Sequence, residues 1–439
     1  MSGTGQHLSV AGHVGYFTHS RNDFADRLSI WAVQLFVVAG VVREILGQTE
    51  LVRLGFYTFH VIDLPITLSV FAVVAHLANG RVSTRALSLP IILIASLITM
   101  NAVRGLTLDP AAALLSIRAN SSIASVLLLA LCVRRRGATI NATRQALIMG
   151  AATLSILVLL RVATVPNLFM IFDTTAADAN DGGRALSAWG AGMMTLAAGF
   201  LLSELLRKKR LRFDAVTVFT LLLPVAILLT RQGTALIAAI AALAVIFLAE
   251  RGQARSLRFF LGALGLAALL LVLSMTFVDL VGIDFINRRD ANLGTRQQVW
   301  QSLMNIWPTL PTFTQLFGYP AGQLPPVFIF IGSDFRSWEL SAHSMYFGSL
   351  PMMGYVGLAG YIALLAIITT LSASYLFRAR LEFPAYPLAF CIATAILSIS
   401  YEVRVDGLLG IFVAILWIRS VPTNPRKSQG QPDPQQVAA

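Results

Sequence analysis

The sequence predicts an all-α polytopic membrane protein, and its composition and its apolar runs carry this prediction. Of the 439 residues, 56% are hydrophobic and only 12% are charged, and the mean hydropathy is +0.73. Soluble domains carry a charged fraction of about 25%. Unbroken apolar stretches of the roughly 17–25 residues that cross a bilayer also recur from the first third of the chain to its end.

Twelve apolar stretches are predicted to span the membrane. The polar segment 1–26 precedes them and lacks the pattern of a cleaved signal peptide, so the first span is expected to act as the insertion signal. The transmembrane domain is predicted at 27–420. The spans are 28–42, 58–78, 87–103, 119–133, 146–160, 186–206, 215–229, 234–249, 257–278, 355–371, 386–399 and 407–418.

Lys and Arg cluster in alternate connections between these spans, for example at 134–136 and 207–212. Because cytoplasmic loops retain basic residues, the bias predicts a bacterial inner-membrane protein with both termini inside. The same bias accounts for most of the net charge of +12, so nucleic-acid binding is not needed to explain it. The Pro- and Gln-rich segment 421–439 is predicted to be a disordered cytoplasmic tail.

The connection 279–342, between spans nine and ten, is far longer than the others and is predicted to lie on the periplasmic side. Long loops of this kind usually carry function. Within it, Thr295 can cap a helix that lies along the membrane surface. Arg296 falls in the first turn, where backbone N–H groups favour a phosphate, although a solvated arginine is the alternative. The apolar positions of this helix are Val299, Trp300, Leu303, Met304 and Trp307.

His343 and Ser344 follow this loop, at the start of an apolar run that is too long for one simple span. Pro351 interrupts the run, which predicts a separate short helix directly after His343. Gly354 and Gly357 would let the following helix pack closely on a neighbour. Taken alone, a histidine at a membrane boundary is more often structural than catalytic.

Arg231 stands in a very tight outer connection, 230–233, between two strongly apolar spans. A charge so close to hydrocarbon is costly and usually has a partner, although snorkelling to the interface is the alternative. The guanidinium fork of arginine suits a diphosphate because it can donate two parallel hydrogen bonds to phosphate oxygens.

Together these features resemble the O-antigen ligase and O-antigen polymerase family of membrane glycosyltransferases, over residues 215–371. The ligase signature of that family is His, then Asn, Ser or Gln, nine residues, Gly, two residues, and Gly, Thr or Tyr. This chain fills the signature with His343, Ser344, Gly354 and Gly357. Arg231 matches an outer arginine that opens a span, and Arg296 with Trp300 matches an Arg-x-x-x-Trp motif in the periplasmic loop.

The resemblance implies a GT-C-like fold and a glycan donor on undecaprenyl diphosphate, with no nucleotide sugar, metal or other cofactor. Arg231 and Arg296 would stabilise the leaving diphosphate, and His343, a side chain with an ordinary pKa of about 6.5, would act as general base. Inversion at the anomeric carbon is expected. Ser344 and Trp300 are predicted to contact substrate.

The acceptor is left open by the sequence. Polymerisation of O-antigen or exopolysaccharide repeat units is favoured slightly, and ligation to lipid A core is the alternative. Glu402, Arg404 and Asp406, between the last two spans, either position acceptor hydroxyls or form a structural ion cluster. Arg184 and Arg161 flank an outer loop and either meet the donor glycan or are solvated. Membrane lipids and other polysaccharide-assembly proteins are further expected partners.

Two other classes of protein are alternatives to a metal-independent transferase. A secondary transporter often has twelve spans with both termini inside, but its related halves and long central loop are not evident here. A metal-dependent oligosaccharyltransferase would use outer acidic residues, and these lack ligand-like spacing. Its candidates are Asp279, Asp284, Asp290 and Asp334. Cys132 and Cys391 lie in apolar runs and predict neither a disulfide nor a metal site.

Overall fold

The protein is described by a computed structural model in which nearly all described residues of regular secondary structure are helical. The described residues are 11–46, 50–54, 57–78, 87–163, 186–207, 215–230, 232–250, 297–323, 327–331, 334–338, 344–379, 384–400 and 405–421. All structural statements concern these residues.

The helices fall at the predicted spans, with short additional elements in the connections. In chain order they are α1 (Ala11–Leu46), α2 (Asp63–Ala78), α3 (Ser88–Leu108), α4 (Pro110–Cys132), α5 (Arg136–Ala163), α6 (Ala188–Arg207), α7 (Ala215–Leu229), α8 (Gly233–Glu250), α9 (297–306), α10 (Thr312–Phe317), α11 (Met345–Ala379), α12 (Tyr386–Ser400) and α13 (Val405–Ser420). Two antiparallel hairpins pair β1 (Glu50–Leu54) with β2 (Tyr57–His60) and β3 (Val327–Ile331) with β4 (Asp334–Trp338).

The length and composition of these helices agree with a multi-pass membrane protein. Helices cover eleven of the twelve predicted spans, and 257–278 lies outside the described residues. α4, bent by 45°, would count as a seventh span, while α2, α12 and α13 are shorter apolar helices. The total of twelve therefore stays a prediction. The segments long and apolar enough to cross a bilayer are Phe24–Leu46, Ser88–Leu108, Arg136–Arg161, Trp189–Arg207, Gly233–Glu250 and Met345–Phe377.

Several helices begin at residues other than the predicted start of their span, and local hydrogen bonds mark two of these starts. The stretch predicted to begin a span at residue 58 is strand β2 and a turn, and α2 begins only at Asp63, whose carboxylate accepts the His60 N–H at 2.8 Å. α4 begins nine residues before its predicted span, because Asp109 accepts the N–H groups of Ala111 and Ala112, each at 3.1 Å, and Pro110 occupies the first position.

The helix ends form two groups of polar contacts, which define the two ends of the bundle. In the first group the Asp26 carboxylate accepts the Arg134 N–H at 3.2 Å, the Arg136 guanidinium donates to the Arg419 carbonyl, and Arg207 pairs with Glu250 at 3.4 Å. This group, called the arginine-rich end below, joins α1 at Asp26 and the starts of α5 and α12 to the ends of α4, α6, α8 and α13.

The second group forms the opposite end, called the motif end below because Ser344 lies there. Glu44 at the end of α1 accepts the N–H groups of Ser187 at 3.0 Å and Gly190 at 3.2 Å, at the start of α6. Arg161 donates to the Glu44 carbonyl at 2.7 Å. The helices thus alternate in direction, as successive crossings require. Which end faces the cytoplasm stays a prediction from loop charge.

Candidate functional site

The long helix α11 is broken at Gly354, which has a φ of 67°. The sequence predicts a break here, and the structure places it three residues beyond Pro351. Residues 345–353 therefore form a short helix, and the remainder of α11 crosses the bundle. The left-handed conformation favours glycine because a side chain would strain the backbone.

A second glycine, Gly318, also allows the loop after α10 to lie close to the break in α11. A Cβ atom on Gly354 would lie 2.3 Å from both the carbonyl carbon and the oxygen of Leu316. Gly318, with a φ of 88°, faces the other way, and its Cβ would lie 2.7 Å from the Met353 nitrogen. The Tyr319 N–H donates to the Pro351 carbonyl at 2.8 Å. The loop after α10 is thereby held directly against the break.

Two polar residues of α3 hydrogen-bond to the loop after α10 and to the broken helix α11. Asn101, only 2% exposed, donates from its amide to the carbonyls of Phe317 at 2.6 Å and Met352 at 2.9 Å. Arg104 donates to the Asn101 side-chain oxygen at 2.7 Å and to the Gly318 carbonyl at 3.0 Å. The Asn101 side chain thus joins the loop after α10 to the broken helix α11.

Sequence reasoning missed Asn101 and Arg104, although they did leave a signal. They are polar residues three positions apart, and therefore on one face, within a helix that is otherwise strongly apolar. Polar groups at membrane depth usually have partners.

Helix α9 packs on the short first part of α11. Val299, Leu303 and Trp307 are 3%, 2% and 0% exposed, at the predicted spacing of four, and Leu303 and Trp307 form a cluster with Leu350. A helix is therefore confirmed at these positions, and its place along the membrane surface stays a prediction. Met304, another of its apolar residues, is 45% exposed. Thr295 and Arg296 lie outside the described residues.

The clearest contact between α9 and α11 is aromatic. The rings of Trp300 and Phe347 are stacked, with centroids 4.9 Å apart and planes 12° from parallel. Nearby, the Tyr319 ring lies 6.1 Å from Trp307, and burial raises the pKa of its phenol. Trp300 therefore contacts the segment that begins directly after His343.

Ser344 anchors that segment to α12. It is 1% exposed, and its hydroxyl donates to the Ser398 carbonyl at 3.1 Å and accepts the Phe347 N–H at 3.5 Å. The Ser398 hydroxyl in turn is 2.7 Å from the Tyr361 hydroxyl. The Ser344 hydroxyl therefore fixes the start of α11, and its predicted contact with substrate stays a prediction.

The tight connection predicted at 230–233 is confirmed. α7 ends at Leu229 and α8 begins at Gly233, with Thr230 and Gln232 both buried and the Gln232 amide donating to the Leu186 carbonyl at 2.8 Å. The connection therefore packs against the residues that precede α6.

The turn at 230–233 lies at the same end of the bundle as Ser344. α12 packs on α8, and the Ala385 N–H donates to Glu250 at 2.9 Å, which fixes their relative position at the arginine-rich end. Counting about 1.5 Å per residue along both helices places Gln232 about 7.5 Å, or roughly one and a half helical turns, beyond the level of Ser398.

Two predicted site residues, Trp300 and Ser344, are therefore brought together, since both contact Phe347. Arg161 donates to the Glu44 carbonyl, so its observed role is to join α5 to α1. Asp406 lies in the first turn of α13. The other predicted site residues lie outside the described part of the chain: His343, Arg231, Arg296, Arg184, Glu402 and Arg404.

The described residues contain no group of three His, Cys, Asp or Glu side chains arranged to hold a metal ion. Of the acidic residues that the sequence offers for such a site, Asp334 begins β4, and Asp279, Asp284 and Asp290 lie outside the described residues. Comparison with known proteins finds no family model that matches the chain, and none of the curated proteins matches it.

Proposed function

We propose that this protein is a membrane glycosyltransferase that moves a glycan from a polyprenyl diphosphate, undecaprenyl diphosphate in bacteria, to an acceptor hydroxyl. The stacked pair of Trp300 and Phe347 carries the proposal. Trp300 is the fourth residue after Arg296, and Phe347 is the fourth after His343. Two segments that bear the expected anion-binding and basic side chains therefore touch, although more than forty residues separate them.

The conformation of the glycines also supports the proposal. Gly354 adopts a backbone conformation that suits glycine, at the position where the glycosyltransferase signature requires one. Its approach to Leu316 leaves no room for a side chain. A break in α11 ends the short helix after His343 at a fixed place, so the start of that helix is rigidly supported. A rigid scaffold of this kind is what a catalytic group needs.

The reaction follows from the chemistry of the expected residues. The acceptor oxygen forms a bond to the anomeric carbon as the bond from that carbon to the diphosphate oxygen breaks. The electron pair leaves with the diphosphate, where Arg231 and Arg296 stabilise the added negative charge. The hydroxyl proton passes to the imidazole of His343. Direct displacement inverts the anomeric configuration, so a product with retained configuration would contradict this mechanism.

The location and acceptor are part of the same proposal. Loop charges favour the bacterial inner membrane, with the motif end on the periplasmic side. Polymerisation of repeat units is the preferred reaction, and transfer to lipid A core is the second candidate.

A complementation experiment tests the proposal. A deletion strain receives wild type, His343→Ala, Arg231→Ala or Arg296→Ala, and glycans are resolved by size into lipid-linked, free and core-linked pools. Loss of a general base typically lowers the rate about 100-fold or more. Accumulated single repeat units would identify a polymerase. Long lipid-linked chains with no core-linked glycan would identify a ligase.

Two matched substitutions control for nonspecific damage. His60→Ala removes a histidine near the motif end whose backbone N–H donates to the Asp63 carboxylate, a bond that alanine can also make. Arg27→Ala removes an exposed arginine from the other end. Both should retain wild-type glycans. If the three site variants also do so at equal expression, the proposed activity is wrong, and transport of a lipid-linked glycan becomes the function to test.

A further inference from the structure

A cleft of about 540 Å³ opens at the arginine-rich end of the bundle, lined by residues of α5, α6, α12 and α13. It is remote from the Trp300 and Phe347 pair. Tyr386, which lines it, begins α12, whereas Ser398, which binds Ser344, lies twelve residues or about 18 Å farther along the same helix. Ligand pockets in proteins commonly measure about 300–1,000 Å³, so the cleft can hold a small polar group with part of an attached chain.

The wall of the cleft is aromatic. The rings of Phe200 and Tyr386 have centroids 4.6 Å apart, and the Trp417 ring meets Tyr386 edge-on at 5.9 Å. Tyr and Trp are typical of membrane interfaces because each has an apolar ring and a polar group. This wall is suited to the first carbons of a lipid chain below its headgroup.

Two arginines form the polar side of the cleft. Arg207, with a side chain 37% exposed, pairs with Glu250 at 3.4 Å. Glu250 is itself held by the Ser203 hydroxyl at 2.8 Å and the Ala385 N–H at 2.9 Å, and is only 7% exposed. A fixed carboxylate behind the guanidinium therefore orients Arg207 at the edge of the cleft.

Arg144 stands on the facing helix, with a side chain 36% exposed and paired with Glu204. Glu204 is 29% exposed, and ion pairs open to solvent contribute little to stability. A phosphate oxygen would therefore compete with Glu204, which also lines the cleft, for the Arg144 guanidinium. Two guanidinium groups of five donors each, on adjacent helices, suit the several acceptors of a phosphate group.

The exposed side chains of α5 indicate the level along the bundle at which the cleft lies. Asn141, which lines it, is an exposed polar residue, whereas Met149 and Ile156 farther along are 70% and 60% exposed. Met149 lies five residues, or about 7.5 Å, beyond Arg144. The cleft thus lies where the outer surface of the bundle changes from polar to apolar, the level at which lipid headgroups meet a membrane protein.

From these observations we propose that the cleft binds the phosphate headgroup of an anionic phospholipid, with Arg144 and Arg207 donating to its oxygens and its chains lying along the apolar face of α5. Basic pockets between transmembrane helices bind such headgroups. Loop charge predicts that this is the cytoplasmic leaflet. The site is separate from the proposed transferase activity and does not depend on it.

Native mass spectrometry of the full chain, delipidated in a neutral detergent, tests the proposal. The probes are phosphatidylglycerol, phosphatidylcholine and inorganic phosphate, each titrated alone. We expect a saturable phosphatidylglycerol adduct, with clearly weaker binding of phosphatidylcholine and no phosphate adduct at the same concentration. Equal binding of both lipids would overturn the anionic selectivity. Phosphate binding as strong as that of phosphatidylglycerol would show that the cleft takes an anion rather than a lipid.

Substitutions locate the adduct. Arg144→Gln and Arg207→Gln should each weaken phosphatidylglycerol binding about fivefold. Arg27→Gln makes the same change in charge at an exposed position of the same end and should leave binding unchanged. If the site variants bind like wild type, the lipid does not occupy this cleft.

A steric variant keeps the test valid if either arginine variant folds poorly. Gly137 lines the cleft, and a Cβ atom added there meets nothing within 4 Å. Gly137→Phe therefore enters open space and replaces a poor helix former. It should weaken phosphatidylglycerol binding with both arginines in place. Unchanged binding in this variant would contradict the proposal even if the arginine variants bind weakly.

Discussion

Gly318 and Gly354 are in reciprocal contact, since each lies against the backbone of the segment that contains the other. A Cβ on Gly354 would meet Leu316 at 2.3 Å, and one on Gly318 would meet the Met353 nitrogen at 2.7 Å. Both glycines have a positive φ. Any side chain at either position must therefore separate the loop after α10 from the break in α11.

Gly354→Ala tests the importance of this contact. The substitution forces an alanine into the left-handed region and against the Leu316 carbonyl, so we expect a loss of at least about 1–2 kcal/mol of stability. Thermal unfolding in detergent measures it. Gly360→Ala is the matched control, because its added Cβ would have an ordinary contact of 3.4 Å with Leu93. Equal unfolding midpoints for the two variants would contradict the prediction.

Asn101→Leu should be destabilising although leucine suits an apolar helix. The amide donates to the carbonyls of Phe317 and Met352, and a buried carbonyl left without a donor costs about 1–3 kcal/mol. We expect a lower unfolding midpoint and, under the proposed function, lower transferase activity. Thr107→Ala, an exposed change one turn beyond Arg104, serves as control. A wild-type midpoint in Asn101→Leu would show that water replaces the amide.

Local patterns predicted the parts of this site that depend on local interactions. The spacing of Val299, Leu303 and Trp307 predicted a helix, and Pro351 predicted an interruption of the following apolar run, which the structure has at Gly354. These features follow from helix period and backbone conformation, which nearby residues determine.

Contacts between distant segments were not predictable in the same way. Asn101 binds carbonyls 216 and 251 residues away, and no periodicity encodes such a pairing. The β1–β2 hairpin was missed because the β-branched and aromatic residues of β2 continue directly into an apolar helix, so the run could be read as one span. Gly318 belongs to no motif, and only its place opposite Gly354 explains it.

A double-mutant cycle on Trp300 and Phe347 should reveal coupling. Stacked aromatic pairs contribute about 0.5–1.5 kcal/mol beyond the area they bury, so Trp300→Ala and Phe347→Ala together should cost less than the sum of the single changes. Chemical unfolding in mixed micelles measures each variant. Trp300→Phe retains a ring and should keep most of the coupling. Strict additivity would show that the contact does not join α9 to α11.

Glu44→Ala should destabilise the start of α6. The carboxylate accepts the N–H groups of Ser187 and Gly190, and the latter is buried, so its loss should cost about 1–3 kcal/mol. Glu44→Gln keeps an acceptor oxygen and should lose less. Gln232 donates to the Leu186 carbonyl, directly before the start of α6. Loosening the start of α6 should therefore also displace the turn that contains Arg231.

Transferase assays on both Glu44 variants would separate the two effects. The proposed function predicts that activity falls further in Glu44→Ala than in Glu44→Gln, in the order of their unfolding midpoints. The Arg161 contact uses the Glu44 carbonyl and survives both substitutions, so the end of α5 stays in place. If Glu44→Ala lowers the midpoint but leaves activity intact, the position of the 230–233 turn is not limiting, and Arg231 would have to act without support from α6.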